Sequence, residues 1–231
     1  MAALDCQGQT TREVNAAIKG LIAQGESRIL LRNPAARHNL GVGIVQPAHL
    51  EFDGSVGYFC AGMIAGPTVE IAGSAGWGLA ESMMEGEVVV RGNAGNGAAA
   101  SIRGGRVVIH GDAAARLGVS LKGGMILVGG NCGYMAGFMA QKGTLVVCGD
   151  VGEAFADSMY EAVCYVGGRI GELGNDAVVA EPSAAELAVL AELLANHLPE
   201  KSAIPDFKKV VSGRKLWNFN KQERALWREA L

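Results

Sequence analysis

Side chains able to do chemistry are few in this chain, and their spacing does not bring them together. The four histidines are His38, His49, His110 and His197, and no two have metal-ligand or i, i+4 spacing. Cys132, Cys148 and Cys164 fall sixteen residues apart with no CxxC pair, so they read as small buried hydrophobes, not ligands. Asp112 and Asp150 invite a catalytic reading, but they occupy a corner shared with Asn and Ser and read as turn formers. GNAGNG at Gly92 to Gly97 has glycines enough for a phosphate cradle, yet it neither follows a strand nor opens a helix. Walker A and GxSxG motifs are absent, and Ala2 after Met1 gives no expectation of an N-terminal cysteine nucleophile. Arg37-His38-Asn39 is the compact polar cluster off the repeat, readable as a ligand or subunit contact or as a satisfied loop.

The element that must position all of these is a repeat. From Leu50 to about Val166 one 19-residue pattern is written seven times without insertion. A fixed short period implies a solenoid, each copy one coil stacked on the last. Positions 1 and 3 are aliphatic (Val88 and Val90, Val107 and Ile109, Ile126 and Val128, Leu145 and Val147), so they share the inward face of a strand. Parallel pairing of seven such strands gives a stack on the order of 30 Å long. Position 5 is Gly54, Gly73, Gly92, Gly111, Gly130, Gly149 and Gly168, which predicts a tight corner with positive φ. Position 6 is mostly Ser, Asn or Asp, a candidate side-chain ladder. A second strand is expected near positions 13–15, with Ile64, Met83, Ile102, Leu121 and Met159 at position 15. Position 12 is always small, which marks a close approach by the coil's own turn or by another chain.

Position 2 runs Glu51, Glu70, Val89, Val108, Leu127, Val146, Tyr165. An outward apolar stripe of that length needs a cover, either the chain's terminal helices or a partner protein.

Net charge of −3 gives no electrostatic footprint for nucleic acid or an anionic membrane. The absence of a signal-like start and of long apolar runs leads to the expectation of a cytoplasmic protein with reduced thiols.

Residues 1–49 read as an N-terminal cap. It has a helix opened by the capping box Thr10 to Glu13, a strand SRILLRN and the loop NPAARHNLGVG. Residues 50–181 are the coil. Residues 182–231 begin with a helix capped by Ser183 and Glu186, striped by Leu187, Leu190, Ala191, Leu194 and Leu198. A basic, aromatic tail follows. Arg37, His38, Arg214, Lys215, Trp217 and Phe219 are the candidate partner contacts, with Lys208 to Phe219 expected to grip another chain; the other reading is that the tail folds back on its own coil.

Further glycines recur at position 8 (Gly57, Gly76, Gly95, Gly133, Gly152, Gly171), and Gly-Gly recurs near positions 17–18 (Gly104-Gly105, Gly123-Gly124). With Gly at position 5, this pattern from Leu50 to about Glu181 resembles the GXGXG family. That family is a right-handed β-helix found at the C-terminus of glutamate synthase large subunits and in the GXGXG subunit of formylmethanofuran dehydrogenases. The flanks NPAARHNLGVG and GRKLWNFN look most like the small GXGXG subunits of N-methylglutamate synthases. The resemblance implies an all-β core of about seven coils with flanking helices. It implies no catalytic, cofactor-binding or metal-binding residue in this chain. The expected partners are an FMN-bearing synthase subunit and an amidotransferase-like subunit in a hetero-oligomer. Together they would convert methylamine and glutamate to N-methylglutamate and ammonia, with this chain holding modules and walling a channel. The alternatives are the corresponding subunit of an archaeal-type glutamate synthase and the GXGXG subunit of formylmethanofuran dehydrogenase, whose partners carry molybdenum or tungsten.

Overall fold

A computed structural model describes residues 1–203 and 206–214. The alternating aliphatic pattern becomes one eleven-stranded sheet. Its strands are β1 (Ala2–Asp5), β2 (Arg28–Arg32), β3 (His49–Phe52), β4 (Ala65–Ile71), β5 (Glu85–Val90) and β6 (Arg106–Ile109), then β7 (Met125–Val128), β8 (Thr144–Val147), β9 (Val163–Val166), β10 (Ala177–Ala180) and β11 (Lys208–Ser212). From β1 to β9 every pairing is parallel and sequential. Val88, Val107, Ile126, Leu145 and Cys164 stand in one row, one 19-residue step apart. The result is a β-solenoid with the aliphatic positions 1 and 3 inside it, and the described residues contain two α-helices, α1 (Thr11–Ala23) and α2 (Ala184–His197).

The second ladder is not where the sequence pattern puts it. It runs through position 7 as single-residue parallel bridges, Val56 to Ala75, Ala94, Ala113, Cys132, Val151 and Ile170. Positions 13–15 form turns, although Ile64, Met83, Ile102, Leu121 and Met159 do point into the core. The turns have a common construction. Positions 10, 12 and 14 of the first six copies lie in the left-handed region, as in Phe59, Ala61 and Met63 or Gly78, Ala80 and Ser82. Their N–H groups alternate between neighbours: Phe59 and Met63 donate to Trp77 and Glu81 of the next coil, and Ala80 donates back to Cys60. Ladder bonds on both sides hold a backbone that costs roughly 1–2 kcal/mol per non-glycine residue. Position 12 is small because it is both left-handed and fully buried, so the close approach belongs to the coil's own turn.

The position-5 glycines need a different explanation from positive φ. None of Gly54, Gly73, Gly92, Gly111, Gly130, Gly149 and Gly168 lies in the left-handed region. From Gly73 onward, an added Cβ would come closer than 3.0 Å to the position-6 side-chain oxygen of the preceding coil. That oxygen is engaged: Asn93 Oδ1 accepts the N–H of Asp112 at 2.8 Å, and Asp112 Oδ1 accepts that of Asn131 at 2.7 Å. Ser55, Ser74, Asn131 and Asp150 do the same for the coil that follows each. Positions 5 and 6 are therefore one device, a side-chain ladder and the gap that admits it.

Both ends are built from material outside the repeat. The segment NPAARHNLGVG is itself a coil. Ile29 of β2 pairs with Leu50 of β3, a 21-residue step, and Asn39, Gly41 and Gly43 repeat the left-handed triplet. Helix α1 closes the core beyond it with Val14 and Ile18, and its Thr10–Glu13 capping box is formed. Asn15 stands in for a missing coil: its Oδ1 accepts the Gly41 N–H at 2.8 Å and its Nδ2 donates to the Asn39 carbonyl at 2.7 Å. At the far end the chain returns. Strand β11 inserts antiparallel between β9 and β10, with Phe207 and Val210 buried. Lys208 to Ser212 are therefore a strand of this chain's own sheet, not a free grip for a partner.

Candidate functional site

The outer stripe at position 2 divides in two, and the division marks the reach of α2. Val108, Leu127, Val146 and Tyr165 pack under Leu190, Leu194, Leu198 and Phe207. Leucines at i, i+4 and i+8 give one apolar face, and Ser183 with Glu186 closes the capping box that starts the helix. The cover is thus the chain's own helix, with Ala191 left exposed. A polar latch fixes it at the rim. Tyr165 Oη donates to Glu186 Oε1 at 2.9 Å, and Lys209 Nζ donates to the same oxygen at 2.6 Å. Lys209, then Ser183, then Tyr165 hold the Glu186 carboxyl down at about 2, well below its ordinary value. Burial, reinforced by Glu186, pushes the Tyr165 phenol up.

Where α2 does not reach, position 2 carries Glu51 and Glu70. This half of the sheet is charged and internally paired. Arg28 pairs with Glu51, His49 Nε2 lies 3.1 Å from Glu51 and 3.4 Å from Glu70, and Arg91 lies 3.7 Å from Glu70. At the border where α2 ends, His110 links Arg91 to Glu200 at 2.9 and 3.2 Å, and His197, the last residue of α2, lies 3.7 Å from Glu87. Among the described residues no group of three His, Cys, Asp or Glu side chains could hold a metal ion.

The glycine-rich run Gly92–Gly97 spends its N–H groups on neighbouring coils. In Gly92–Gly97 the N–H groups of Gly92, Ala94, Gly95 and Gly97 donate to Gly73, Asp112, Ala75 and Ala115. All five cysteines are buried and unpaired, and burial raises Cys60 and Cys164 to about 12. The Asp150 carboxyl is lowered by the Arg169 N–H and guanidinium, in keeping with its place in the ladder.

Of the candidate partner contacts, His38 is engaged within the chain. Its Nδ1 accepts the Tyr58 N–H at 2.8 Å, and the ring stacks on Tyr58 at 4.4 Å. Tyr58 stacks in turn on Trp77 at 5.2 Å. Arg37 donates to the Asn33 carbonyl, and Arg214 forms an ion pair with Asp176 at 2.6 Å. These residues do not converge on one place: His38 is in the first coil, while Arg214 follows β11. Lys215, Trp217 and Phe219 lie outside the described residues.

Position-by-position reading of the repeat's inner face missed an outer feature. Tyr58, Trp77 and Tyr134 at position 9, Phe59 at position 10, Met63 and Met139 at position 14, and Met84 and Tyr160 at position 16 are all large, apolar and exposed. They follow one another round the coil from position 9 to position 16, outside the stripe that α2 covers. The signal was present as aromatic residues recurring at position 9.

No protein-family profile and no curated protein matches the chain by sequence. Among solved structures it is similar to a chain of the formyltransferase/hydrolase complex (FhcABCD) from Methylorubrum extorquens, determined with methylofuran. The match has 22% identity and a TM-score of 0.65, and covers 87% of this chain and 86% of that one. No helix among the described residues is long and apolar enough to cross a membrane. At that identity the likeness concerns the fold: the chain is a β-solenoid of the same kind.

Proposed function

We propose that this chain is a non-catalytic scaffold subunit of a multi-subunit enzyme, holding catalytic chains in place along the solenoid. The observation that carries the reading is the arc of exposed Tyr58, Phe59, Met63, Trp77, Met84, Tyr134, Met139 and Tyr160. Aromatic and methionine side chains exposed in such density are the composition of a protein interface. Two assemblies fit. The flanks NPAARHNLGVG and GRKLWNFN favour a flavin-dependent amine transfer of the N-methylglutamate synthase kind, with FMN on a synthase-like partner and an amidotransferase-like chain beside it. The fold likeness to a chain of a formyltransferase/hydrolase complex favours a role like that of the GXGXG subunit of formylmethanofuran dehydrogenase. In both readings the reacting atoms belong to other chains, and this one positions them.

The test is isolation of the tagged full chain from its native host, with identification of the stoichiometric chains, a visible spectrum and metal analysis. Flavin bands with synthase-like and amidotransferase-like chains support the first assembly. Formyltransferase- or hydrolase-like chains without flavin support the second. A chain that purifies alone overturns the scaffold reading.

A further inference from the structure

Building on the scaffold reading, we propose that the arc of positions 9–16 docks a partner protein that is apolar at two places and acidic between them. Its exposed hydrophobics fall into two groups. Tyr58, Phe59, Met63, Trp77 and Met84 belong to the early coils; Tyr134, Met139 and Tyr160 belong to the late ones. Between them the same positions carry Arg103, Arg116 and Lys122. Arg103 and Arg116 are exposed and Lys122 is half-buried. None of the three has a carboxylate within ion-pair distance among the described residues.

On the sheet face most cations are matched, Arg32 of β2 excepted. There Arg28, Arg91, Arg106 and Lys209 each face a glutamate of this chain, as a solvated surface does. Three cations without an ion pair, set between two exposed apolar groups, present a pattern that an acidic patch flanked by apolar ones completes. A second copy does not complete it. A two-fold contact between these arcs would set the central cations against themselves, and like charges facing each other cost affinity. An anionic membrane does not complete it either. Glu81 and Glu85 accompany the early group, Glu153 and Glu161 the late one, and a negative surface repels all four. Rigid aromatics are the usual anchors of protein interfaces, and methionines add adaptable contact area. The early group is well held for this, since Tyr58 is fixed between His38 and Trp77 and needs little ordering on binding.

The experiment takes the complex isolated through the tagged full chain and exposes it, beside the free chain, to hydroxyl-radical oxidation. Oxidation of Met63, Trp77, Met84 and Met139 is expected to fall severalfold in the complex, with Val178 and Val189 unchanged. A carbodiimide cross-link from Lys122 to a carboxylate of the partner is expected as well. Raising salt, or the combined Arg103→Glu, Arg116→Glu and Lys122→Glu exchange, should weaken reassociation about tenfold or more. A stoichiometric complex in which Trp77 and Met63 oxidise as in the free chain overturns the docking face and leaves the scaffold reading standing. Failure to find any partner overturns the scaffold reading itself. Protection of the same residues in a homodimer of the pure chain, or on phosphatidylserine vesicles, overturns the commitment to an acidic protein partner.

Discussion

The side-chain oxygen of Asn93 accepts the backbone N–H of Asp112, one coil further on, at 2.8 Å, and it does so across the space left by the missing Cβ of Gly111. The same arrangement recurs from coil to coil and ties the solenoid's corner together. Gly111→Ala places a Cβ against both Asn93 Oδ1 and the Gly92 carbonyl, so the corner must open. A loss of about 2–4 kcal/mol is expected, with Gly97→Ala as the control. Gly97 is left-handed with open space around it, and its exchange should cost only about 1 kcal/mol of backbone strain. Urea unfolding of the two variants checks the order.

Asn15 ends the solenoid where no further coil exists. Asn15→Ala removes its bonds to Gly41 and Asn39 and leaves a half-buried N–H without an acceptor, at about 1–3 kcal/mol. Faster hydrogen exchange at Gly41, with exchange in β7 and β8 unchanged, is the expected signature.

The Glu186 latch sets an acid limit on helix docking. Its carboxyl is depressed from 4.5 to about 2 in the folded chain, so the unfolded chain takes up the proton first. The contribution is complete above about 4.5 and is lost as pH falls toward about 2. Wild type should therefore lose more stability than Glu186→Gln across that window, measured by denaturant midpoints at each pH.

Deleting residues 207–231 tests the return of the chain. It removes Phe207 from the α2 cluster and β11 from between β9 and β10. Loss of these buried side chains is expected to cost about 2–5 kcal/mol and to loosen α2. A thermal scan and dye binding to the uncovered Val108–Tyr165 stripe report it; an unchanged melting curve would contradict the role given to β11.

The thiols should be inert until the chain unfolds. Cys6, Cys60, Cys132, Cys148 and Cys164 are all buried, and burial raises every one of them. A thiol reagent at mildly alkaline pH is expected to label none in the native chain and five in denaturant.

The sequence by itself determined the solenoid. The unbroken 19-residue period and the aliphatic pairs such as Val107 and Ile109 require stacked coils with those residues inside, because alternate residues of a strand share a face. Local rules also predicted both capping boxes correctly. Tertiary structure alone decided what rests on contacts between coils. Gly111 is a glycine because of Asn93, in the preceding coil, and not because of its own φ. The turns at positions 10, 12 and 14 are held left-handed by bonds to neighbouring coils, so alanine and serine there look unremarkable in one dimension. Residues 33–48 became a coil through their pairing with the next one, which their loop-like composition hid. The cover of Val108, Leu127, Val146 and Tyr165 came from α2 because its leucines and the stripe meet only once the coils are stacked and the chain has passed β10. An apolar stripe states that something must cover it; burial against a particular helix is a property of three dimensions.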